Sequence, residues 1–98
     1  MDEGTFIPNY SAFIMNGDNM SPTINKGDHI VVDNEQRAIR SGEIYLVGYK
    51  KQKLVCRLLL DRQTVIFVFD ALDESHEESL DNINVIGRVI EVKTLALD

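Results

Sequence analysis

Apolar positions along this chain come in short runs, separated by polar breaks rich in Gly, Asp and Asn. Residues 12–15 (Ala-Phe-Ile-Met) form the first run, and Asn16-Gly17 ends it. The β-branched segment 29–33 follows an irregular stretch that holds Pro22 and Gly27. Residues 43–49, 53–60 and 64–69 are β-favouring runs, with 50–52 and 61–63 as hairpin connections. The last extended element is 83–86 plus 88–92, where Gly87 marks a bulge or bend. Residues 23–25 have room for one helical turn. Residues 34–41 read as a surface loop, and the acidic stretch 70–82 as an insertion. No amphipathic helix of useful length and no internal repeat is visible. Short strands with turn signals every eight to twelve residues indicate an all-β fold: a curled, mainly antiparallel sheet or partly open barrel.

With 98 residues and 44% apolar content, the chain is long enough for one modest core and too apolar for wholesale disorder. No apolar run approaches the roughly 20 residues that span a bilayer. No basic-then-apolar leader opens the chain, so the reading is a cytoplasmic protein without a membrane partner. Ten basic and 16 acidic side chains give a net charge of -6. A DNA-binding surface needs a basic face, so direct DNA contact by this domain is not expected. One cysteine excludes an internal disulfide and a Cys-only metal cage.

The chemistry of interest lies between residues 14 and 33. Gly17-Asp18 and Gly27-Asp28 bracket a short irregular segment. Glycine permits backbone angles that other residues resist, and Asp and Asn bond to nearby amides. Pro22 fixes its own φ and biases Ser21 towards an extended conformation. The segment is therefore a rigid elbow presenting Asp18, Asn19 and Met20. Such an elbow suits a reactive side chain, but Asn19 at its tip has a delocalised amide that is barely nucleophilic.

Gly17, Asp18, Met20, Pro22, Thr23, Gly27, Asp28 and Asp33 together resemble the elbow of the LexA-like family. That family comprises the carboxy-terminal domains of LexA, UmuD and phage repressors, with leader peptidases as more distant relations. The resemblance covers residues 12–94. It implies a curled β domain at 12–98, with residues 1–11 an arm or linker remnant. The family's nucleophilic serine falls on Asn19. Its lysine base, on a Val-Lys-Arg-Leu strand, falls on Cys56 of Val55-Cys56-Arg57-Leu58. Such a lysine must be neutral to take the serine's proton, and burial makes it so. A thiol does not replace it. The resemblance thus points to a member that has lost its dyad, with no catalytic residue, cofactor or metal.

Other candidates read more simply as structure. Ser21 is a turn serine. Cys56 with His29 as base would need an activating environment, whereas free cysteines are commonly small buried apolar residues. The run Asp73-Glu74-Ser75-His76-Glu77-Glu78 has no recognisable ligand spacing, and Lys50, Lys51 and Lys53 read as a solvated hairpin. The final segment, with Ile90, Val92, Leu95 and Leu97, reads as an edge strand and subunit interface, the alternative being an internal strand with a frayed tail. In LexA-like domains the dimer is commonly built around this strand. The expectation is a non-cleaving oligomerisation domain of a phage-type transcriptional repressor, forming a homodimer and higher homo-oligomers. It would touch DNA only through a separate N-terminal domain, and an antirepressor protein would replace self-cleavage in induction. The alternatives are an active or latent Ser-Lys peptidase of the same family, or an interaction module outside transcription.

Overall fold

The structure, a computed structural model, describes residues 9–72 and 74–94. Among them are seven strands and no α-helix: β1 (Tyr10–Ile14), β2 (His29–Asp33), β3 (Ile44–Tyr49), β4 (Gln52–Asp61), β5 (Thr64–Val68), β6 (Ser75–Ser79) and β7 (Asn84–Lys93). They form one sheet in the order β1-β2-β7-β3-β4-β5-β6, every pair antiparallel and the sheet not closed into a barrel. β1 begins at Tyr10, slightly ahead of the expected start at Ala12.

β7 joins two halves of the sheet. Its first part, Asn84 to Arg88, pairs with β3, and its second part, Arg88 to Lys93, pairs with β2. Each ladder carries a bulge. Ile86 is the extra residue opposite Leu46/Val47, and Ile90 the extra residue opposite Val31/Val32. Bulges bend and twist a strand, which lets one continuous segment serve two ladders. Gly87 lies at the changeover, where a Cβ would sit 2.5 Å from the Asp33 carbonyl oxygen. The expected bulge near Gly87 is present, and the close backbone approach supplies its reason.

Two expectations need correction. The acidic stretch 70–82 is not simply an insertion: Ser75–Ser79 pairs with β5 as β6, and a 3-10 turn follows at Leu80–Asn82. His76 and Glu78 project towards Tyr49, and the His76 ring lies 5.6 Å from that of Phe67. These cross-strand contacts compensate for the missing apolar alternation. In addition, the last strand is not the outermost of the sheet but lies between β2 and β3, with its flank away from β2 unpaired beyond Arg88 among the described residues. The outer strands are β1 and β6.

Strand alternation splits the core in two. Met15, Met20, Ile24, Ile30, Val32, Leu46 and Val55 form one cluster, with Phe13, Ile86, Val89 and Val92 packed against it. Tyr45, Val47, Cys56, Leu58, Val65 and Phe67 form the other. Phe69 touches both. The Tyr45 hydroxyl accepts from the Arg40 amide and donates to the Ala38 carbonyl, which anchors the 34–41 loop.

Candidate functional site

The elbow between β1 and β2 is closed at its base by backbone bonds. The Met15 amide donates to the Asp28 carbonyl and the Gly27 amide to the Met15 carbonyl. Gly27 has φ 92°, a conformation that side chains with a Cβ resist. Asp28, only 4% exposed, accepts from the Asn25 amide through Oδ2 at 2.8 Å. Within the elbow the Ser21 amide bonds to the Asp18 carbonyl, and the Ile24 amide to the Met20 carbonyl. The expected single helical turn therefore exists, but its bond closes from Met20 to Ile24 rather than over 23–25.

The tip is fastened to the far side of the sheet. Asp70, just beyond β5, accepts from Thr23 Oγ1 at 2.6 Å and from Arg57 Nε and Nη2 at 3.1 and 2.7 Å. Arg57 Nη1 also donates to the Gly42 carbonyl at 2.6 Å. The Asp70 amide points at Met20 Sδ, and the Ala71 amide donates to the Asn19 carbonyl. Hydrogen bonding from Arg57 holds the Asp70 carboxyl below its ordinary range, and the same pairing raises the Arg57 guanidinium. A forked pair of this kind fixes orientation as well as charge. The sequence offers no signal for this clamp, because Thr23, Arg57 and Asp70 sit on three separate elements.

Beside the tip lies a groove of about 710 Å³. One wall is β1 and the elbow, from Ser11 to Asn19. The other includes Leu46, Lys53, Leu54, Val55 and Ile86. Asn19 is half-buried, and its Oδ1 is buried with no hydrogen-bond partner among the described residues. Lys53 is exposed at the rim.

Cys56 is not part of this lining. It is fully buried in the second cluster, and burial pushes its thiol up to about 12. Its neighbour Val55 faces the first cluster with Met20. The structure thus places Asn19 and Cys56 in different surroundings. His29 is exposed on β2, opposite Ile14 and Lys93, and does not join Cys56. Ser21 is half-buried in the elbow turn. His76 bonds to Tyr49 and Glu78, and no metal-holding group of His, Cys, Asp or Glu occurs among the described residues. Of the expected interface residues, Ile90 is 41% exposed, whereas Val92 packs against the first cluster. Leu95 and Leu97 lie outside the described residues. No described helix is long and apolar enough to cross a membrane.

Comparison with known proteins adds two findings. The family described as Peptidase S24-like matches residues 2–90. A protein of Haemophilus influenzae described as an uncharacterized HTH-type transcriptional regulator is 29% identical over 94 residues. That match takes in 91% of this chain and 39% of the relative, so the chain spans well under half of the regulator's length.

Proposed function

The chain belongs to the Peptidase S24-like family, and we propose that within it the domain serves self-association of a phage-type repressor rather than self-cleavage. One observation carries the proposal. The elbow is held as a reactive elbow would be, yet its tip offers the groove an amide, and the thiol at the lysine's place is buried in another cluster. Acyl transfer needs a nucleophile and a base within hydrogen-bond reach of each other. Asn19 supplies no hydroxyl, and Cys56, with its thiol pushed up to about 12, is a poor partner for proton transfer.

The name of the Haemophilus relative and the charge of -6 support a division of labour. A separate helix-turn-helix head reads DNA, and this domain, residues 12–98, brings two heads together. Once one head is bound, the second contact is intramolecular and gains from the high effective concentration. The two-fold symmetry of such dimers matches that of operator half-sites. Induction then takes a route other than self-cleavage, such as an antirepressor protein. Lysogeny in a bacterial host is the setting this mechanism serves.

The test uses the full-length protein. Incubation at alkaline pH, which deprotonates a lysine base, should leave it uncut, and sedimentation should show a dimer at micromolar concentration. A linker fragment whose formation depends on Asn19 or Cys56 would establish the peptidase reading instead. A strictly monomeric protein would remove the self-association reading.

A further inference from the structure

The two outer strands of the sheet are unlike. β6 reads Ser-His-Glu-Glu-Ser and is short and acidic. β1 reads Tyr-Ser-Ala-Phe-Ile and carries no charge. Outer strands present a row of unpaired backbone groups, and proteins usually guard them with charge, proline or bulges. Among the described residues β6 is guarded in this way and β1 is not.

The hydrogen-bond phase of β1 shows what it offers. The Met15 amide donates to Asp28, and the Asn34 amide donates to the Asn9 carbonyl. Antiparallel ladders alternate between bonded and non-bonded pairs. Odd-numbered residues of β1 therefore bond to β2, and Tyr10, Ala12 and Ile14 turn their amides and carbonyls outward. The same three residues have exposed side chains, and Tyr10 and Ile14, 54% and 58% exposed, are the most exposed large hydrophobics among the described residues.

We propose that β1 pairs with β1 of a second copy about a two-fold axis through Ala12, as a contact separate from the one on β7. The axis sets Ala12 against its own copy, Tyr10 against the partner's Ile14 and Ile14 against the partner's Tyr10. All three are hydrogen-bonded pairs by the phase above, so every outward amide and carbonyl of the segment finds a partner. The two aromatic–aliphatic pairs sit on one face, where cross-strand pairs of this type are favourable. The equivalent pairing of β6 would set Glu77 against its own copy, and like charges directly opposite are destabilising.

A pair of five-residue strands is smaller than the roughly 1,200–2,000 Å² of a stable complex. The contact is therefore weak alone and gains occupancy when copies are already tethered side by side. Its consequence, though not its geometry, rests on the repressor reading: dimers made elsewhere on the chain join into larger assemblies on neighbouring operators.

Cysteine placed on the axis tests the pairing. Cα atoms in a hydrogen-bonded antiparallel pair lie about 5.5 Å apart, within disulfide range. Ala12→Cys in the full chain, treated with diamide, should give a linked dimer. Glu77→Cys, at the centre of β6, should stay monomeric on a denaturing gel, as should the parent chain with its buried Cys56. Adding Ile14→Lys to Ala12→Cys should abolish the link while the circular dichroism spectrum and melting curve stay unchanged. Absence of the link in Ala12→Cys, equal linking by Glu77→Cys, or linking that survives Ile14→Lys would each overturn the proposal. Adding Ile90→Asp separates the two contacts: the Ala12→Cys link should still form when the β7 contact is lost, though more slowly, because the copies are then no longer tethered. Loss of the link there would show that β1 pairing is not a contact of its own.

Discussion

Gly87→Ala is the sharpest test of how the two halves of the sheet are joined. The added methyl would lie 2.5 Å from the Asp33 carbonyl oxygen, 2.6 Å from Val32 Cγ1 and 2.9 Å from Asn34 Cα. Two of these are backbone atoms, and Val32 is fully buried, so none swings aside cheaply. Overpacking a tight site costs about 1–3 kcal/mol, and three such contacts at once belong at the upper end. Replacing glycine by alanine returns about 0.4–1 kcal/mol by restricting the unfolded chain. The net loss is therefore about 2 kcal/mol, which for a domain of this size lowers Tm by roughly 8–16 °C. Gly48→Ala is the control on the neighbouring strand. Its nearest contact is 3.6 Å, an ordinary distance, and its melting point should stay close to the parent's. Thermal and urea denaturation of the two variants decide the matter. If Gly87→Ala melts with Gly48→Ala, β7 does not pass the end of β2 as closely as described.

Two further predictions concern the hairpin and acid. Lys50 and Lys51 hold φ of 51° and 64°, the pair of positive values that favours Asn-Gly in a two-residue hairpin. Lys50→Asn with Lys51→Gly should therefore stabilise the chain by about 1 kcal/mol, read as a rise in urea midpoint with unchanged slope; a fall would show that these lysines make contacts worth more than the strain. Glu78 accepts from Tyr49, Asn82 and His76, and these bonds lower its carboxyl from 4.5 to about 2. A carboxyl depressed in the folded state stabilises above its unfolded value and loses that contribution as pH falls through the folded value. Stability should thus decline from about pH 4.5 towards pH 2, and Glu78→Gln should flatten that decline; equal acid profiles would contradict the bonds drawn to Glu78.

How much was legible depended on whether a signal was local. β2 came out with its observed bounds because His29 to Asp33 is a β-branched run between glycine and a polar loop. The elbow was legible because Gly27, Asp28 and Pro22 act on their own neighbourhood. β6 was missed because its five residues carry no apolar alternation; its strand character comes from Tyr49 and Phe67 on other elements. Order along the chain likewise says nothing about order in a sheet, so β7 read as an outer strand although it lies between β2 and β3. The face on which Cys56 sits follows from pairings Tyr45↔Cys56 and Leu46↔Val55, which no single segment contains. For the same reason the Thr23–Asp70–Arg57 clamp leaves no trace in the sequence.

The position of β7 also revises where an interface on that strand would sit. Beyond Arg88, which still pairs with Tyr45 of β3, it pairs with β2 alone, so from Val89 the flank away from β2 has no ladder partner among the described residues. An open flank inside a sheet is still an edge, and a second chain can pair there. Ile90 is the bulged residue of this part and is exposed, whereas Val92 faces Ile30 across the ladder and packs on the first cluster. The two should therefore respond differently to the same substitution. Ile90→Asp places a charge at the proposed contact between copies and, if the chain self-associates there, should dissociate the copies with little change in melting temperature. Val92→Asp places an unpaired charge against Ile30 and the first cluster. It should cost about 3 kcal/mol or more, unfolding the chain rather than merely separating copies. Sedimentation and thermal melting on both variants distinguish the outcomes. A dimer that withstands Ile90→Asp would place self-association elsewhere on the surface. A Val92→Asp chain that stays folded as a monomer would show that Val92, not Ile90, faces the partner.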